Sequence, residues 1–213
     1  MNWVELNARA GQGLPELWLL HGYGSHEGDL FGLSPALEEF EIKALRAPID
    51  LIPTGHAWYS LSFDYNGLKS EDLSEAEQSL AKIVATLEQH HLEHPNRPRP
   101  IILGFSQGGI LANALAWTRP DLVTATVSIC SYMPWNWAFI NDKAPESFCP
   151  SYNAYGLHDG VILPEISMRS YEKLEMVNPN LVWKGYPMAH TIHPSAFQDV
   201  KAWMLEQASN ATL

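Results

Sequence analysis

The stretch Ile101-Ile102-Leu103-Gly104-Phe105-Ser106-Gln107-Gly108-Gly109 constrains this chain more than any other. An apolar run of single-strand length ends in Gly-x-Ser-x-Gly, and a helix-forming segment follows with no linker, so the backbone must turn sharply at the serine. Glycines flank such a turn because side chains there would collide with neighbouring backbone. The turn exposes the hydroxyl and aims a helix N-terminus at it. Taken alone, the pentapeptide also fits a tight turn with an incidental serine; the rest of the chain decides between the two.

Short apolar runs bounded by Gly and Pro alternate with segments of helical period, and this alternation predicts a mostly parallel sheet covered by helices on both faces, an α/β class. Strands are expected at Leu17–Leu20, Ile42–Arg46, Pro100–Leu103, Thr124–Ile129, Tyr152–Gly156 and Leu181–Lys184. Helices are expected at Ser70–His91, where Leu73, Ala76, Leu80, Ile83, Val84 and Leu87 repeat every three or four residues, and at Gln107–Trp117, Pro164–Met176 and Ser195–Gln207. No internal repeat or linker interrupts the pattern, so one domain over 1–213 is the expectation. The segment Tyr132–Pro150, rich in Pro, Trp and Asn, reads as an irregular surface loop.

With 213 residues, 46% of them hydrophobic, the chain has enough apolar surface for a substantial core. A formal charge of -11, from 13 Lys and Arg against 24 Asp and Glu, argues against partners such as nucleic acid or anionic membrane surfaces. Cys130 and Cys149 are too few for a disulfide scaffold and read as reduced thiols. Met1–Arg9 has neither the basic start nor the apolar run of a signal peptide, and the apolar stretch Leu14–Leu20 is too short to span a bilayer. These features lead us to expect a cytoplasmic protein without stable membrane insertion, monomeric or homodimeric.

A serine hydroxyl is a weak nucleophile. It needs an imidazole to take its proton and a carboxylate to hold that imidazole in the right tautomer, and in strand–Ser–helix hydrolases these follow in the order Ser, acid, His. Asp159 closes a strand-like run in Tyr155-Gly156-Leu157-His158-Asp159-Gly160, and His190 follows the next strand in Tyr186-Pro187-Met188-Ala189-His190. Asp64, Asp121, Asp142 and Asp199 fit worse: two precede or open helices, one lies in the irregular segment, and one sits within a helix. His193, just before Pro194, is the competing base, with helix capping as its alternative role; His158 reads as a structural neighbour. The group His90, His91 and His94 has the look of a metal site, yet it lies at a helix end running into Pro95-Asn96-Arg97-Pro98, where solvated polar residues are ordinary. No metal or cofactor is expected.

Hydrolysis also needs donors for the oxyanion of the tetrahedral intermediate. The amide of Gln107, next after the nucleophile, is the first. The second is expected from Leu19-Leu20-His21-Gly22-Tyr23-Gly24, where a strand ends in a Gly-rich loop able to turn the Tyr23 amide toward Ser106.

Five motifs then give the sequence a family resemblance: Leu20-His21-Gly22-Tyr23-Gly24-Ser25 with Asp29-Leu30-Phe31, Ala57-Trp58-Tyr59, Gly104-Phe105-Ser106-Gln107-Gly108-Gly109, Gly156-Leu157-His158-Asp159 and Ala189-His190-Thr191-Ile192. Over nearly its whole length the chain resembles the phospholipase/carboxylesterase family, which includes the acyl-protein thioesterases, and looks like its small bacterial esterase branch. The resemblance implies an α/β-hydrolase fold without a large lid domain, hydrolysis of esters or thioesters, no cofactor, a triad of Ser106, Asp159 and His190, and oxyanion amides from Tyr23 and Gln107. It also implies that Trp58 and Tyr59 lie near the acyl-binding groove, with core packing as the alternative. Two positions depart from the family pattern: Ala189 replaces the usual glycine before the histidine, and Tyr132-Met133-Pro134-Trp135-Asn136-Trp137 is unusually aromatic. The second leaves substrate preference open.

The expected activity is that of a serine carboxylesterase working through an acyl-enzyme on Ser106, on a small-molecule or lipid ester, with a rate that rises with pH through the histidine range. Lysophospholipids or protein thioesters are the alternative substrates. Amide or dienelactone hydrolysis is a further alternative, although the cysteine branch of such enzymes is at odds with Ser106. A non-catalytic binding protein on the same fold would be expected to lack a triad member, and none is lacking. The segment Tyr132–Phe139 is open to two roles, covering the groove or meeting a partner.

Overall fold

The structure, a computed structural model, describes residues 4–65, 69–140 and 145–211. Seven strands form its main sheet: β1 (Glu5–Ala8), β2 (Glu16–Leu20), β3 (Glu41–Leu45), β4 (Ile101–Phe105), β5 (Ala125–Ile129), β6 (Ser151–Gly156) and β7 (Leu181–Tyr186). They lie in the order β1-β3-β2-β4-β5-β6-β7; β1 runs antiparallel to β3 and every other neighbouring pair is parallel. Five helices pack on it: α1 (Glu27–Phe31), α2 (Leu73–Glu93), α3 (Gln107–Thr118), α4 (Pro164–Glu175) and α5 (Pro194–Asn210). This is the α/β-hydrolase fold, with no large lid domain among the described residues.

The central strands are apolar on both faces because both faces are covered. Along β2, Trp18 and Leu20 enter one core with Ile83 of α2 and Leu111 of α3, while Leu17 and Leu19 enter the other with Leu30 of α1 and Val200 of α5. Each such aliphatic side chain withdrawn from water contributes about 1.5–3 kcal/mol before the entropy of ordering it is counted.

Expected and observed elements differ mainly at their ends. Helix α2 starts at Leu73 rather than Ser70, because the Asp72 side chain caps it by accepting from the Glu75 amide at 3.0 Å. Lys69–Glu71 instead pairs with Leu61–Phe63 in a small antiparallel hairpin, and Ile49–Asp50 pairs with His56–Ala57 in another. The segment Tyr132–Pro150 is not simply a surface loop: Met133, Trp137, Ile140 and Cys149 are buried. Glu71 accepts from the Tyr132 hydroxyl and, at 2.9 Å, from the Trp137 indole N–H, which ties the aromatic segment to the hairpin. Tyr132–Phe139 is thus anchored into the core rather than laid over the surface as a free flap. Among the described residues no helix is long and apolar enough to cross a membrane.

Candidate active site

Register places the candidate residues at neighbouring strand ends. Phe105 pairs with Ile129, so Ser106 and Cys130 leave β4 and β5 side by side; Gly156 pairs with Tyr186, so the loops carrying Asp159 and His190 leave β6 and β7 side by side.

At Ser106 the turn has φ 51° and ψ -117°, a region that side-chain-bearing residues seldom occupy and that costs about 1–3 kcal/mol. The flanking glycines are required by close packing: a methyl group at Gly104 would strike the Gly108 carbonyl, and one at Gly108 would strike the Leu20 carbonyl. The Ser106 amide donates to the Ile129 carbonyl at 2.9 Å, and α3 begins at the next residue. The N–H groups of its first turn therefore have no partner within the helix.

Ser106, Asp159 and His190 form one hydrogen-bonded chain. His190 Nε2 lies 2.9 Å from Ser106 Oγ, and His190 Nδ1 lies 2.8 Å from Asp159 Oδ2. The other carboxylate oxygen, Oδ1, accepts from the amides of Val161 at 2.8 Å and Ile162 at 2.9 Å. Asp159 is buried and thus fully hydrogen-bonded on both sides. Phe105 packs its ring 5.0 Å from that of His190.

The Gly-rich loop after β2 reaches the same place, since a methyl group at Gly22 would sit 3.4 Å from Ser106 Cβ. His21 fixes this loop from below: its Nδ1 lies 2.8 Å from the Gly22 carbonyl and its Nε2 accepts from the Ala47 amide at 3.0 Å. Only the neutral tautomer with Nδ1 protonated satisfies both contacts, and burial lowers the pKa of the ring accordingly. Tyr23, next in the loop, is exposed.

Trp58 and Tyr59 require a correction. They are 0% and 1% exposed and belong to the core, so neither presents a face to an open groove. Their backbone instead holds Gln107: the Trp58 amide donates to its side-chain oxygen at 2.8 Å, and its side-chain nitrogen donates to the Tyr59 carbonyl at 2.7 Å. The Gln107 side chain is therefore occupied within the core, and only its main-chain N–H belongs to the site.

The remaining candidates lie elsewhere. His193 caps α5 by accepting from the Ser195 amide, and the exposed His158 donates its own amide to the Met188 carbonyl. Asp121 pairs with Arg119, and Asp199 with Lys184 and Tyr186. Asp64 sits beyond the Leu61–Phe63 strand, and Asp142 lies outside the described residues. Of the three clustered histidines, His90 lies 2.7 Å from Glu16, itself bound to Arg97, at the amino end of β2, whereas Ser106 follows the carboxyl end of β4.

Cys130 escaped the sequence reading. Its sulfur lies 3.5 Å from the Thr191 carbonyl and 3.7 Å from the Ala189 carbonyl, and its ligating atom is within 4.8 Å of those of Asp159 and His190. The ligand atoms of the other two are already engaged, His190 by Ser106 and Asp159, and Asp159 by His190 and the amides of Val161 and Ile162; burial, followed by the Asp159 charge, pushes the thiol up to about 12. The thiol fills the space behind the triad.

A family model described as Phospholipase/Carboxylesterase matches residues 14–206. Among solved structures, a carboxylesterase of Bacillus cereus superposes with a TM-score of 0.76 at 17% identity, covering 95% of this chain and 93% of its own. Acyl-protein thioesterase 2 of Zea mays gives 0.76 at 19%, covering 97% of this chain and 100% of its own. The esterase PE8 gives 0.78 at 21%, covering 96% and 97% respectively. At these identities the structural likeness is one of fold. No curated protein sequence gives a significant match.

Proposed function

The chain belongs to the phospholipase/carboxylesterase family, and from that premise we propose that it is a serine carboxylesterase acting through an acyl-enzyme on Ser106. The observation that carries this reading is the unbroken contact chain from Asp159 through His190 to a serine held in a strained turn at a helix N-terminus.

Ser106 Oγ attacks the ester carbonyl carbon as its proton passes to His190 Nε2, while Asp159 holds the imidazole and stabilises the imidazolium. The main-chain N–H groups of Gln107 and Tyr23 receive the oxyanion. Collapse breaks the carbon–oxygen bond to the alcohol, which leaves with the proton from His190 and puts the acyl group on Ser106. Water then attacks the acyl carbon, gives a proton to His190 and releases the carboxylic acid as that proton returns to Ser106. No cofactor enters this sequence. The same steps serve a thioester, with a thiol leaving.

A second reading, a lysophospholipid or acylated protein as substrate, is favoured by one feature. Tyr23 on the loop after β2 and Leu157, Val161 and Leu163 on the loop after β6 are exposed at the carboxyl end of the sheet, the end that carries Ser106, and offer apolar surface suited to a longer acyl chain.

The test is hydrolysis of p-nitrophenyl esters from acetate to palmitate, with Ser106→Ala as control. The expected result is turnover that falls by about 10⁴ or more in the variant. A peak at short chains supports the carboxylesterase and a peak at long chains the second reading. Turnover that survives Ser106→Ala would overturn both.

A further inference from the structure

Resting on the ester-hydrolase reading, we infer that the cleft between α1 and the loop carrying His190 receives the leaving group, and that Asp29 at its rim selects leaving groups bearing a positive charge.

The argument starts from the proton. The departing oxygen or sulfur must take it from His190 Nε2, so the first atoms of the leaving group lie against the imidazole. Room exists there: a cavity of about 320 Å³ opens beside His190, with Leu30, Leu33, Phe105 and Ile192 among its lining residues. This volume is at the lower end for small-molecule sites. Its lining is mixed: Leu30, Leu33, Phe105 and Ile192 supply carbon, while Asp29, His190 and Thr191 supply polar surface, which suits a compact alkyl group carrying a polar or charged end.

The charge comes from Asp29. It is exposed at the rim of this cavity, and Ser25 Oγ donates to its Oδ2 at 2.6 Å. A hydroxyl is a neutral donor, so the contact orients the carboxylate without cancelling its charge. Among the described residues no lysine or arginine forms an ion pair with Asp29, and Arg46 is bound through two of its guanidinium nitrogens to Glu27. The net charge of -11 adds a long-range field of the same sign. A cationic alcohol, such as an amino or quaternary-ammonium alcohol, meets apolar side chains and an uncompensated carboxylate together, whereas an anionic one is repelled.

Three butyrate esters that share one acyl group test this: the choline ester, its neutral carbon isostere the 3,3-dimethylbutyl ester, and the 3-sulfopropyl ester. Each kcat/KM is divided by that ester's rate with hydroxide, which removes intrinsic reactivity. The expected order is cationic, neutral, anionic, with roughly two- to fivefold between steps at low salt, as one exposed charge gives. About 0.5 M NaCl should compress the order in the unaltered protein, and Asp29→Asn should bring the choline-to-neutral ratio toward one. Ser106-dependent turnover with no charge ordering at low salt, or an ordering that folded Asp29→Asn retains undiminished, would overturn the inference alone. Absence of Ser106-dependent turnover of all three esters would overturn the ester-hydrolase reading as well.

Discussion

The backbone N–H of Trp58 donates to the side-chain oxygen of Gln107 at 2.8 Å, so the residue that follows the candidate nucleophile is locked to a segment nearly fifty positions earlier in the chain. With the Tyr59 carbonyl, two buried main-chain groups depend on that one side-chain amide. Gln107→Ala should therefore lower stability by about 2–4 kcal/mol, the cost of leaving both unsatisfied. Gln107→Glu keeps the acceptor but sets a carboxylate against the Tyr59 carbonyl, and should be the worse of the two. Urea denaturation midpoints check this; an unchanged midpoint for Gln107→Ala would contradict the role described.

The same contact marks where sequence reading stopped. The parallel strands were legible because burial on both faces leaves uninterrupted apolar runs, and the contact among Ser106, His190 and Asp159 because chain order and strand ends restrict which Asp and His can meet Ser106. Strand β1 was not, since Glu5–Ala8 is a half-exposed edge without an apolar run, and α1 is only five residues long. Trp58 and Tyr59 look the same in sequence whether they line a groove or fill a core. What separates the two is their long-range pairing with Gln107. Cys130 behind the triad was invisible for a similar reason: only the pairing of Phe105 with Ile129 brings it there.

Strain at Ser106 predicts an unusual stability ranking. Ser106→Ala removes the hydroxyl but keeps the Cβ at φ 51°, whereas Ser106→Gly removes both. After allowing for the greater freedom of glycine in the unfolded chain, Ser106→Gly should exceed Ser106→Ala by about 1 kcal/mol, or roughly 2–4 °C in Tm. Calorimetry on the two variants checks this. Ser106→Gly melting below Ser106→Ala would argue that the turn carries no strain.

Both thiols should be silent in the folded protein. Burial pushes Cys149 up to about 11, and burial together with the Asp159 charge pushes Cys130 up to about 12. Thiolate is the reactive form, and at pH 8 a thiol of pKa 11 is ionised in roughly one molecule per thousand. Titration with a chromogenic disulfide should find two thiols in urea and none in the native protein over the same interval. Stoichiometric labelling of the native protein would show that the region behind the triad opens readily.

His21 links acid stability to the loop beside Ser106. The folded protein holds its ring neutral between the Gly22 carbonyl and the Ala47 amide, and burial lowers its pKa below the ordinary histidine value of about 6.5. In the unfolded chain the ring binds a proton at about 6.5, so below that pH the unfolded state takes up protons that the native state refuses. The stability this residue contributes is fully present above pH 6.5 and declines as pH falls through 6.5 toward the lowered native value. His21→Asn cannot titrate, so its stability, lower at pH 8, should change less between pH 7 and pH 5 than that of the unaltered protein. Urea midpoints at several pH values measure the difference. Parallel curves for the two proteins would mean that His21 takes up its proton in the fold as readily as in the unfolded chain, so that the contact with Ala47 does not resist protonation, because a doubly protonated ring has no lone pair for that amide.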